Sequence, residues 1–284
     1  MRTEDPQLQT SFETWALDEV PPFPWITTKV LQLFSARTED VEIKRLVELL
    51  RADAALGSEL LRRANSALYG LKSQVMSLQH ATVLLGMEQV KALAMTVGLG
   101  AYLKGALKLV VLRRCWRHSI GCALLAEELA PLCGLSPEQA YTAGLLHDLG
   151  RLALLTKYPQ PYADLLSVVL ENRFGLLTSE RDLFDVDHCQ AGAWLAGKWG
   201  FPEQLQRIAA LHHDPPPNGP FDLLKLAHLS CRLADCLGFA VVESVEAGEP
   251  AEILTELPHR ALTGFGVATT DLQERLTAKV NALE

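Results

Sequence analysis

The sequence predicts an all-α protein, an N-terminal helical bundle packed on a second helical half. Three observations predict it. Apolar residues recur with a 3.6-residue period from Trp25 onward. Helix starts and stops are marked, as at Ser77, Gly86 and Ser136-Pro137. No stretch alternates apolar and polar residues with β-branched enrichment, so no sheet is expected.

The elements follow in order. Residues 1–19 are polar and expected to be loose. Pro21, Pro22 and Pro24 mark an extended entry, because each proline disfavours helix in the residue before it. Three apolar stripes come next: Ile26, Val30, Leu31 and Phe34; then Val41, Leu46, Leu49 and Leu50; then Leu56, Leu60, Leu61, Ala64 and Leu68, closing at Gly70. Ser77 caps a helix that Gly86 ends, and another apolar helix runs to about Leu103. These form a first half over 20–104, and Gly105 to Arg113 reads as the joint. A second half over 105–240 is expected to hold helices at about 112–132, 136–156, 160–172, 179–198, 203–212 and 221–237. Asp214 to Pro220, with three consecutive prolines, is a loop. A C-terminal extension over 241–284 is acidic and weakly patterned to Pro258, with a last helix from Thr270.

The 284 residues suffice for one large or two modest domains, and 49% hydrophobic residues suffice for a sizeable core. A net charge of −8 argues against a nucleic-acid surface, which needs clustered positive charge. Arg62-Arg63 and Arg113-Arg114 read as solvated helix faces. The six scattered cysteines, none in Cys-x-x-Cys spacing, read as reduced core thiols. The start lacks an apolar signal segment, and the longest uncharged run, between Lys91 and Lys104, is short of the roughly 20 residues a membrane span needs. A cytoplasmic protein without membrane or nucleic-acid partners is expected.

The chemistry-bearing residues are His118, His147, Asp148, His188, His212, His213 and Asp235. All are metal-ligand types on apolar helices. Asp148 can offer an oxygen to each of two ions while His147 binds one. Asp235 lies among apolar residues, where an ionised carboxylate is costly unless paired or metal-bound. Imidazole with carboxylate suits iron, manganese, zinc or nickel better than calcium, as one ion or two. Plainer readings stand beside this one. His188 alone is a hydrogen-bonded core histidine, His212–His213 complement a helix dipole, and His147–Asp148 form a structural ion pair. The metal reading expects His118, His147, Asp148 and Asp235 in one pocket, with His188 and His212 or His213 at its rim.

The order His, His-Asp, His, His-His, Asp resembles the HD superfamily of metal-dependent phosphohydrolases, in particular its HD-GYP branch. Val20-Pro21-Pro22-Phe23-Pro24, Arg51-Ala52-Asp53-Ala54-Ala55-Leu56 and above all Asn65-Ser66-Ala67-Leu68-Tyr69-Gly70 resemble the HDOD family, the HD-related output domain of bacterial signalling proteins. Ser77 to Val90 and Trp199-Gly200-Phe201-Pro202 resemble it as well, and the likeness spans roughly residues 20 to 240. The resemblance implies an HD-like second half and a regulatory module. Its partners would be other signalling proteins, with a nucleotide as a further ligand class. The alternative it implies is a metal-dependent phosphohydrolase acting on a nucleotide or phosphodiester. Two positions depart from the active HD-GYP pattern: Arg151 replaces a lysine, and Asp214-Pro215 replaces a glutamate and the Gly-Tyr-Pro loop. Arg151 would still hold a phosphate, bidentately.

Overall fold

The computed structural model describes residues 17, 20, 22, 24–33, 39–66, 70, 74–242, 248–258 and 269–283. All regular elements among these residues are helical. In the first half they are α1 (Trp25–Leu33), α2 (Glu39–Ala52), α3 (Ala54–Ala64), α4 (Leu78–Leu85) and α5 (Met87–Leu103). A short 3₁₀ turn, Ala106–Lys108, leads into α6 (Val110–Cys133) and α7 (Pro137–Leu146). Then come α8 (Leu149–Lys157), α9 (Pro159–Asn172), α10 (Leu176–Phe184), α11 (His188–Lys198), α12 (Glu203–Leu211) and α13 (Leu223–Ala234). A π turn, Asp235–Phe239, continues α13, and α14 (Pro250–Leu254) and α15 (Thr269–Leu283) complete the chain. No helix among the described residues is long and apolar enough to cross a membrane.

The periodicity reads correctly, but two expected helices are each two. The helix expected over 136–156 breaks at His147–Asp148, where Asp148 takes φ −91° and ψ 24°. The one expected over 179–198 breaks before His188. There Asp187 and Gln190 cap α11 reciprocally, each side chain meeting the other's backbone N–H. The weakly patterned tail contains α14, whose first residue is Pro250, the position where proline costs least.

The core is continuous. Helix α5 packs on α1, α3 and α4 and also on α7 and α8. Gln89 donates to Glu127 at 2.7 Å, and the Thr96 and Tyr141 hydroxyls pair at 2.6 Å, tying α5 to α6 and α7. Helix α15 lies on α6, held by Arg275–Glu128 at 2.7 Å and by Arg117 donating to Asn281 at 3.0 Å. Leu17, in the segment expected to be loose, is buried in this core, while residues 1–16 lie outside the described residues. So do Pro21, Phe23, Phe34 and the Ala67-Leu68-Tyr69 part of the Asn-Ser-Ala motif. Of that motif, Asn65 clamps a distant strand of backbone: its side-chain amide donates to Val75 O at 3.0 Å and accepts from Val75 N at 2.7 Å.

Two glycines set the depth of the second half. A Cβ on Gly144 would lie 2.6 Å from Cys122 O, so only glycine lets α7 meet α6 this closely. A Cβ on Gly150 would overlap the His188 carbonyl and the Gly192 amide, so α8 meets α11 in the same way. These glycines flank His147 and Asp148 and seat the junction between α6 and α11.

Candidate metal centre

Six of the side chains that converge here are enclosed: His118 (2% exposed), His147, Asp148, His188 and His212 (each 0%) and Arg151 (3%). His213 sits at the mouth, the residue open to solvent while its ring packs against His188 and His212. Buried polar side chains at this density are costly unless each finds a partner. The partners therefore decide what the cluster can do.

The four buried histidines solve half of the problem identically. His147 Nδ1 donates to Gly144 O at 2.6 Å, and His212 Nδ1 lies 3.1 Å from Ala209 O and 3.2 Å from Ile208 O. His118 Nδ1 lies 3.1 Å from Phe239 O and 3.2 Å from Asp235 Oδ1. His188 Nδ1 meets Glu180 Oε2 at 2.6 Å. All these partners are acceptors, so each Nδ1 carries its proton. In the neutral rings every Nε2 then presents a lone pair to the interior. Metal-ligating histidines are oriented in this manner by carbonyls and carboxylates behind them.

Facing those lone pairs are more acceptors. His212 Nε2 lies 3.3 Å from Asp148 Oδ1, and His188 Nε2 lies 3.3 Å from the same oxygen. His147 Nε2 lies 3.6 Å and His118 Nε2 3.9 Å from Asp148 Oδ2. Both Asp148 oxygens and His212 Nε2 are buried with no hydrogen-bond partner. A lone pair facing an anionic oxygen at this range is repulsive unless a cation stands between them. The donor set and its orphaned atoms fit a metal ion. Three groups offer ligand atoms within 4.8 Å of one another: His118, Cys122, His147 and Cys231; His147, Asp148 and His212; and His188, Cys189, His212 and His213.

The electrostatics differ from ring to ring: against burial, Cys231 and Asp235 raise His118 well above the usual imidazole value. Burial alone would raise the Asp148 carboxyl, but Arg151, His147 and His188 outweigh it and hold it well below the usual carboxylate range. Burial lowers the His212 pKa, keeping that ring neutral. Burial, with His212 and His188 beside it, pushes His213 down to about 2. Burial and Arg151 oppose charge on His188, yet Glu180, Cys189 and Asp148 pull it up to about 10. Arg151 Nη2, a donor only, sits 3.0 Å from His188 Nε2 and favours the neutral ring there. The two demands conflict on one nitrogen.

The pocket gathers the predicted residues unequally. His118, His147, Asp148, His188, His212 and His213 meet in it. Asp235 meets His118 at the outward nitrogen Nδ1, with its side chain 27% exposed, and belongs to none of the converging groups. Its place behind the ring, rather than beside Asp148, follows from the π turn that carries it. Arg151, expected to face a phosphate, turns inward: its Nε lies 3.3 Å from Asp148 Oδ2. Three participants were read as something else or not singled out. Cys122 and Cys231, taken as core thiols, each place Sγ 3.4 Å from His118 Nε2. Glu180 is fully buried under His188 and also accepts from the Tyr162 hydroxyl. The spacing His118-x-x-x-Cys122 on one helix face was the available signal for the first thiol.

Comparison with known proteins places this architecture. The HDOD domain model matches residues 20–215. An uncharacterised protein of Treponema pallidum (strain Nichols) is 27% identical over 202 residues, 70% of this chain and 39% of that protein, so the chain spans about two fifths of that relative. Among solved structures, an HDOD domain protein of unknown function from Geobacter sulfurreducens superposes with a TM-score of 0.70 at 23% identity, over 94% of this chain and 91% of that one. A Shewanella amazonensis SB2B protein, provisionally called a phosphohydrolase, superposes with a TM-score of 0.64 at 25% identity, over 95% and 96%. The likeness to the Geobacter protein is one of fold. With a matching model that covers well over half of its length, an all-helical architecture and a histidine–aspartate pocket in its second half, this chain belongs to the HDOD domain family.

Proposed function

We propose that this chain is a signal-transduction module of the HDOD type that acts through contacts with other signalling proteins and retains an HD-like pocket for structure or sensing. The observation that carries this reading is the use of Arg151. Its guanidinium is enclosed and engages Asp148 and His188, so it is not offered to a substrate phosphate. The loop that follows His213 adds support. Asp214 to Pro220 contains four prolines, which lack the backbone N–H that would bind a phosphate. Within the pocket, His118, His147, His188, His212 and Asp148, with Cys122 and Cys231 beside them, offer the ligand atoms among which a divalent ion such as iron, manganese, zinc or nickel would be held. Such an ion, when bound, supplies Lewis acidity toward a phosphoryl oxygen and lowers the pKa of a water.

A second reading, a metal-dependent phosphohydrolase, draws on a different observation: the buried, unpartnered oxygens of Asp148 among four inward-facing imidazoles. Turnover of a general phosphodiester and of cyclic dinucleotides, with manganese or iron supplied, separates the two. The regulatory reading expects none above background. Robust turnover that disappears in Asp148→Ala would replace it with the hydrolase.

A further inference from the structure

We propose that the pocket holds one zinc ion, not two, ligated by His118, Cys122, His147 and Cys231, with Arg151 standing where a second cation would sit. This rests on the reading of the pocket as a metal-holding site and names its metal and its ligands.

The four donors come from three helices. His118 and Cys122 are one turn apart on α6, His147 ends α7, and Cys231 lies in the last turn of α13. All four are buried. Their contacts centre on His118 Nε2, which lies 3.3 Å from His147 Nε2 and 3.4 Å from each of the two sulfurs. With Nδ1 protonated, that nitrogen has a single lone pair and can accept one hydrogen bond. Three neighbours crowd it, and one of them, His147 Nε2, is another lone pair. No single hydrogen bond can use all four atoms at once.

A tetrahedral zinc can. With Zn–N of about 2.0 Å and Zn–S of about 2.3 Å, its nitrogens stand ~3.3 Å apart and nitrogen and sulfur ~3.5 Å apart. The observed separations, 3.3 Å and 3.4 Å, match both. Paired sulfurs also choose the metal, since soft thiolates favour zinc over manganese or magnesium.

The second locus is different in kind. Beside Asp148 and His188 stands Arg151, 3.3 Å from Asp148 Oδ2 and 3.0 Å from His188 Nε2. Its charge is permanent. It already neutralises Asp148 and repels a cation placed beside it, so the bridging carboxylate that two ions would share is engaged.

The test uses the full chain, purified under reductant without chelator. Elemental analysis should find one zinc per chain after dialysis against zinc, iron and manganese together. Replacement by cobalt(II) should give thiolate-to-cobalt charge-transfer absorption in the near ultraviolet and strong tetrahedral bands in the visible. Cys122→Ser and Cys231→Ser should each weaken zinc binding by more than about a hundredfold, the upper end of what loss of an orienting partner alone costs. Cys236→Ser, a thiol outside the pocket, should leave it unchanged. The cobalt spectrum is read on the unaltered chain, so a variant that fails to fold does not decide the matter. Two ions per chain, or a cobalt spectrum without sulfur ligation and binding lost in Asp148→Asn, would overturn this assignment while leaving the pocket a metal site. No binding of zinc, iron or manganese at all would overturn the underlying reading as well.

Discussion

The two halves of the molecule bury polar groups in opposite ways. In α1–α5 the buried polar side chains each find a partner in the backbone or in neighbouring side chains. Thr27, Thr82 and Thr96 donate to carbonyls three or four residues back, and buried Lys91 pairs with Glu88 at 3.0 Å. In α6–α13 the buried polar groups face one another, and several lack partners. Both halves are helical. The difference teaches that burial of charge marks a site only when the groups converge and remain unsatisfied.

Breaking the convergence should cost most. Asp148→Ala leaves Arg151 without its carboxylate in an enclosed pocket, and removing one partner of a buried pair costs about 3–5 kcal/mol. Denaturant unfolding should show that loss. A cost below ~1 kcal/mol would mean that the network is solvated and the contrast between the halves is weaker than described. Gly150→Ala comes next. The methyl would collide with the His188 carbonyl and the Gly192 amide, so α8 must move off α11 at about 1–3 kcal/mol. The same substitution at Gly105, where a Cβ meets nothing within 4 Å, should be close to neutral.

Asp187→Ala removes the cap that positions His188 and should cost about 1 kcal/mol in denaturant unfolding. Unchanged stability would show that Glu180 alone holds His188 in place. The smallest effect belongs to the first half. Arg62 and Arg63 hold the Glu59 carboxyl down, from 4.5 to about 2; of the pair expected on a solvated face, Arg62 is exposed but Arg63 is buried. Glu59→Gln should therefore cost no more than ~1 kcal/mol. Because the folded pKa is depressed, this contribution is present above pH 4.5 and fades as pH falls toward about 2. The difference in stability between parent and variant should close over that window.

Much of the fold was legible because 3.6-residue periodicity and caps are local. The stripe Leu60, Leu61, Ala64 becomes α3, and Ser136-Pro137 starts α7 where expected. The breaks at Asp148 and before His188 were harder. The apolar pattern runs through both, and what turns the chain is a close approach at Gly150 and a reciprocal cap at Asp187 and Gln190. That cap was readable as Asp-x-x-Gln and was passed over. The histidines and Asp148 announce themselves by residue type. Cys122 and Cys231 do not, since a buried cysteine usually packs as a small hydrophobe. Only the crossing of α6 and α13, 113 positions apart at His118 and Cys231, reveals their role. The turn of Arg151 onto Asp148 is not legible, because sequence neighbours say nothing about which group a guanidinium meets.

The π turn at Asp235–Phe239 has a consequence of its own. It places the Asp235 carboxylate and the Phe239 carbonyl, four residues apart, against the same nitrogen of His118, and Gly238 at φ 91° completes the bend. Deleting any one residue there would turn the following backbone by about 100° and take one acceptor away. Length, more than residue identity, is what this stretch must preserve. A variant library across it should tolerate replacements at the half-buried Cys236 and almost no change in count.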